Sequence, residues 1–110
     1  MITGYGDGYV EINKAPYTHA ILLSSDGHIS NWSVQTFDDL EDSHFLKIVD
    51  LKPELVLIGT GKHQRFPNLE LLKTLIQAKI GYEIMDSQAA CRTYNILLSE
   101  GRQVVLALVL

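Results

Sequence analysis

The chain has 110 residues, 46% apolar and 20% charged, a balance that predicts one globular domain over residues 1–110 and excludes a disordered chain, a repeat array or a two-domain enzyme. Its net charge of −4, from 9 basic and 13 acidic residues, offers no footprint for nucleic acid, and its single cysteine excludes an intrachain disulfide framework. The charge is uneven: residues 1–54 carry nine acidic against three basic side chains, a net of −6, and residues 55–110 four against six, a net of +2.

Residues 4–8 are glycine-rich, with tyrosines at 5 and 9, and read as a flexible or turn-rich lead-in. Val10-Glu11-Ile12 alternates as a short strand does, Asn13–Pro16 reads as a turn, and Ala20–Leu23 as a second strand. Asp26-Gly27 is a hairpin signal, with Ile29 and Trp32 on the returning strand. The first third is therefore expected to be an antiparallel meander. A helix is expected from near Asp38, with Leu40, Phe45, Leu46 and Val49 inward and Asp38, Asp39, Glu41 and Asp42 at its positive end.

After Pro53 the pattern changes. Leu55–Ile58 is a continuous apolar run ended by Gly59-Thr60-Gly61, as in a buried parallel strand and tight turn. Leu69, Leu72, Leu75 or Ile76, and Ile80 recur at helical spacing, and Gly81 is expected to stop that helix. Tyr82–Met85 follows as a strand. Asp86 and Ser87 stand where a cap belongs, before a face of Ala89, Ala90, Thr93, Tyr94, Ile96 and Leu97, closed by Glu100-Gly101. Val104–Leu110 is the last strand. The second half is thus β-α-β-α-β, and the whole an α/β domain with an antiparallel β portion at its N-terminus.

The chemistry is sparse. Gly59-Thr60-Gly61-Lys62 lacks the spacing of a phosphate loop and the third glycine of a dinucleotide fingerprint. Lys62, His63 and Arg65 cluster after it and, with Asp86, Cys91, Arg92 and Thr93 at the next strand end, make the candidate pocket for a small anionic ligand. Asp86 and Arg92 are a candidate ion pair. Cys91, beside Ala89 and Ala90, reads as a buried thiol, with His63 the only base a nucleophilic role could use. His19, His28, His44 and His63 have no metal-ligand spacing, and no cofactor is implied. Asp86 and Glu100 sit about 20 Å apart along one helix, too far for paired-carboxylate chemistry. Met1–Gly8 has neither a basic region nor an apolar run, so no secretory leader is expected, and the longest apolar run, Val104–Leu110, is too short to span a membrane. A cytoplasmic location is expected.

One block is distinctive. Glu83, Met85, Asp86 and Ser87, then Ala90 with Arg92-Thr93-Tyr94-Asn95, then Glu100-Gly101-Arg102, resemble the signature of a family of small α/β domains. That family includes a mitochondrial assembly factor for respiratory complex I and an adipogenesis-associated animal protein. Gly59-Thr60-Gly61, Pro67 and Trp32 fall where the family places such residues. The resemblance implies a layered domain with a small antiparallel sheet beside a mixed one, and no established reaction. Two functions follow as expectations. One is a non-catalytic protein-binding or assembly module, through a protein partner or self-association. The other is binding or turnover of a small anion near Gly59–Arg65 and Asp86–Arg92.

Overall fold

Strands that are apolar at every position need cover on both faces, and the fold supplies it. The computed structural model describes residues 1–110. Its elements run β1 (Ile2–Gly6), β2 (Tyr9–Ile12), β3 (Ala15–Tyr17), β4 (Ile21–Ser24), β5 (Ile29–Asn31), a 3-10 turn (Phe37–Asp39), α1 (Asp42–Asp50), β6 (Leu55–Thr60), α2 (Leu69–Gln77), β7 (Gly81–Met85), α3 (Ser87–Ser99) and β8 (Val104–Val109). The first three strands form an antiparallel sheet; the others form a mixed sheet in the order β5-β4-β8-β6-β7. β6 runs parallel to β7 and β8, while β4 is antiparallel to β5 and β8. The α/β class and the antiparallel N-terminal portion are as expected.

Alternate residues of the central strands feed two cores. Ala20, Leu22, Val56, Ile58, Val105, Ala107 and Val109 face α1 and α2, where they meet Phe45, Ile48, Leu72 and Leu75. Ile21, Leu23, Leu57, Val104, Leu106 and Leu108 face α3 and the small sheet, where they meet Ala90, Cys91, Tyr94, Val10 and Ile12. Trp32 closes the first core, its Nε1 donating to the His44 carbonyl at 3.0 Å.

Several expectations are corrected. The expected lead-in at residues 4–8 is instead the end of β1 (Ile2–Gly6) and the Asp7-Gly8 turn that joins it to β2; Gly4 and Gly6 obscure the strand's alternation. The turn before β3 is only Asn13-Lys14, both at positive φ (48° and 75°), and Pro16 is already in the strand. The helix expected near Asp38 is a single 3-10 turn there, and α1 begins at Asp42. Leu46 is exposed, and Ile48 takes the inward position instead. α2 ends at Gln77; Lys79 makes the left-handed turn (φ 59°), and Gly81 opens β7. Leu69, Ile76 and Ile96 are exposed rather than inward.

Candidate functional site

The Gly59-Thr60-Gly61 stretch ends β6 beneath the first turn of α3. A Cβ on Gly59 would lie 2.6 Å from Leu108 Cδ2 and 3.0 Å from Ser87 Cα, so only glycine lets the helix sit this close to the strand. Gly61, at φ +98°, turns the chain out. Its N–H donates to Ser87 Oγ at 2.8 Å, and Ser87 N–H donates back to the Gly61 carbonyl at 2.9 Å. Ser87 Oγ in turn donates to the Val109 carbonyl at 2.5 Å, so this buried hydroxyl joins the ends of β6, α3 and β8. Thr60 Oγ1 donates to the His63 carbonyl at 2.7 Å and accepts from Arg65 N–H at 3.1 Å, folding residues 61–65 into a tight loop.

Above this junction lies a cavity of about 430 Å³. Its roof is the Gly6-Asp7-Gly8 turn, its floor Gly61 and Ser87, and Lys62, Gln88 and Leu110 complete its walls. Lys62 Nζ stands 4.0 Å from Asp7 Oδ2, and Gln88 Nε2 is 3.5 Å from Asp7 Oδ1. The N-terminus of α3 opens nearby but is already capped, with Asp86 Oδ1 accepting from Ala89 N–H at 2.9 Å. The Asp7 carboxylate thus stands beside the one lysine of the cavity. The arrangement suits a small polar molecule better than a highly charged anion.

The candidate residues do not form one cluster. Gly61 and Lys62 meet at the cavity; Gly59 and Asp86 support it from below as packing and cap. His63 contributes its carbonyl to the loop. Arg65 pairs with Asp38 at 2.5 Å and lies 4.4 Å over the Phe37 ring, on another face. Cys91 is buried, and burial raises its thiol from 9.0 to about 12, away from a reactive thiolate. The expected Asp86–Arg92 pair does not form: six residues carry the side chain roughly 240° around the helix. Arg92 instead lies over Tyr5, donating to its hydroxyl at 3.4 Å, and that bond raises the guanidinium pKa further. Thr93 Oγ1 points to Met85 Sδ at 3.5 Å. No group of three or more His, Cys, Asp or Glu side chains converges on a point where a metal could be held. Asn95 accepts from Ile2 N–H at 3.0 Å and donates to the Ile2 carbonyl at 2.8 Å, pairing with β1 as a strand would. Asp7 and Gln88 escape sequence reasoning because nothing local places the β1–β2 turn over α3.

This is a two-core α/β layered domain with a β-hairpin folded over a strand-helix junction. The chain belongs to the family described as protein of unknown function (DUF498/DUF598), whose model matches residues 2–109. It is 33% identical over 101 residues to the "13 kDa major membrane protein" of Francisella tularensis subsp. holarctica (strain LVS), covering 91% of this chain and 82% of that protein. It is 26% identical over 113 residues to the Drosophila melanogaster NADH dehydrogenase (ubiquinone) 1 alpha subcomplex assembly factor 3, covering 99% of this chain but 58% of that protein. A crystal structure of a Bordetella parapertussis protein superposes with a TM-score of 0.93 at 43% identity, covering 99% of this chain and 93% of that one. No helix of this chain is long and apolar enough to cross a membrane.

Proposed function

We propose that the chain is a non-catalytic, protein-binding module of the assembly-factor type, acting as one domain on a protein partner. The observation that carries the reading is an apolar flank on and before α2: Phe66, Leu69 and Ile76 are 71%, 62% and 51% exposed. Other large apolar side chains, Leu46 and Ile96 among them, are exposed singly, whereas these three fall within eleven residues and suit a surface for a partner. A relative named as an assembly factor supports the same reading. The motif residues support it too, since Asp86, Ser87, Thr93 and Asn95 are engaged within the fold. The test is co-purification of a tagged chain from its native cells. Wild type is expected to retain a protein partner in fixed ratio, and Leu69→Ser/Ile76→Ser to lose it; an unaccompanied wild type overturns the reading.

A second reading rests on the cavity roofed by Asp7. Its volume and its Lys62 ammonium suit a small ligand carrying a negative group. A metabolite that raises the melting temperature saturably in wild type, but not in Lys62→Ala, would put ligand binding first.

A further inference from the structure

An exposed strand edge is a template for another chain, and folded proteins normally close theirs. The two sheets here have four edges, and three are blunted by short length or by a partner. β3 is three residues long and includes Pro16, which has no N–H to offer. β5 is also only three residues long. β1 is paired by Asn95 on its outer side. β7 is different: it has five residues, and its outer side carries a single bond, from Gln64 Nε2 to the Ile84 carbonyl at 2.9 Å.

The direction of the β7 backbone follows from its inner bonds. Gly81 N–H donates inward to the Glu54 carbonyl at 3.0 Å, and the Met85 carbonyl faces Thr60 Oγ1 at 3.3 Å. By the two-residue repeat, Tyr82 and Ile84 turn their N–H and C=O groups outward. Their side chains lie on the α2 face of the sheet. There Thr74 bonds Asp42 of α1, which fixes the rotation of α2. Leu69 and Ile76 lie roughly 140–160° around the helix from Thr74, on the flank away from α1. α2 also packs against β7, the edge strand of this sheet. Glu83, between Tyr82 and Ile84, points to the opposite face and is exposed.

From this geometry we infer that β7 is a strand-addition site for an extended segment of a partner protein with the pattern apolar–basic–apolar. The partner's backbone bonds Tyr82 and Ile84, displacing the Gln64 amide. Residues opposite Tyr82 and Ile84 point to the α2 face and meet Leu69 and Ile76, so they are apolar. The residue between them stands opposite Glu83 on the other face, so it is lysine or arginine. A second copy of this chain fits poorly. The antiparallel register that bonds both Tyr82 and Ile84 sets Glu83 directly against the Glu83 of the other copy. The inference rests on the assembly reading and names the chemistry of its partner.

The test uses two capped heptapeptides, Thr-Ser-Val-Lys-Val-Ser-Thr and the same peptide with glutamate at its centre, titrated into nitrogen-15-labelled full-length protein. The lysine peptide is expected to move the Tyr82 and Ile84 amide resonances saturably, and the glutamate peptide to bind about fivefold more weakly. Glu83→Lys, an exposed and foldable variant, is expected to reverse that order. Titration to millimolar peptide that leaves both amides unmoved overturns the proposal, as does a preference that Glu83→Lys does not reverse. Wild type that dimerises by sedimentation with Tyr82 and Ile84 amides protected also overturns it, by placing a second copy at the edge. Partner retention in native cells that survives Glu83→Lys but not Leu69→Ser/Ile76→Ser removes the edge proposal and leaves the assembly reading standing. Wild type without any retained partner removes the assembly reading itself.

Discussion

Helices α2 and α3 cross opposite faces of the same sheet, one on each side of β7, and they are built on opposite terms. In α3, Asp86 caps, Ser87 joins three elements, Thr93 meets Met85, Tyr94 reaches the Ser24 carbonyl at 3.1 Å and Asn95 holds β1. In α2, Leu72 and Leu75 anchor the helix while Leu69 and Ile76 stay outside. The residues that make the sequence distinctive are therefore mostly architectural. The exposed apolar flank proposed as the partner surface lies where the sequence has no motif.

Substitutions should separate the two helices by stability. The largest loss is expected for Tyr94→Ala, about 3–5 kcal/mol in a urea melt, because a buried ring and its hydrogen bond go together. Gly59→Ala should cost roughly 1–3 kcal/mol, since the new Cβ forces α3 off the sheet. Asn95→Ala should cost about 1–3 kcal/mol and speed exchange of the Ile2 amide, which loses its acceptor. Leu69→Ser and Ile76→Ser should each stay within about 0.5 kcal/mol of wild type. A large loss from either α2 change would break the contrast, as would a neutral Asn95→Ala.

Alkaline pH sharpens the same contrast. Burial raises Cys91 from 9.0 to about 12 and, with nearby Asp26 adding to the effect, Tyr94 from 10.0 to about 12. Both groups are held neutral in the fold, so the unfolded chain ionises first. Their contribution is complete below about pH 9 and is lost as pH rises towards about 12. Denaturation midpoints should fall through that window in wild type and in Leu69→Ser/Ile76→Ser alike. In Tyr94→Phe the upper part of the fall should flatten.

What was legible follows the physics of each segment. β4, β6 and β8 stood out because burial on both faces leaves an unbroken apolar run, and Asp86 because a cap is a local event. β1 was hidden because Gly4 and Gly6 carry no side chain to alternate. β3 was hidden by Pro16, which a short edge tolerates. Helical spacing grouped Leu69 and Ile76 with Leu72 and Leu75, but it could not show that α2 packs beside an edge strand with one flank open. Of the candidate site, Gly61 and Lys62 were placed near the cavity they line, whereas Asp7 and Gln88 arrive through the β1–β2 turn, a contact 81 residues apart in sequence. Strand order decides which edge is open, and no local pattern encodes strand order.

Whether the chain works through the α2 flank, as proposed, or through its motif-bearing residues is decided by partner retention measured side by side in native cells. Tagged wild type, Leu69→Ser/Ile76→Ser and Lys62→Ala/Arg92→Ala would be expressed at equal level and shown to melt alike. The α2 double variant is expected to lose the partner while the Lys62/Arg92 variant keeps it. Retention by the α2 variant, with loss in the Lys62/Arg92 variant, would contradict the proposal.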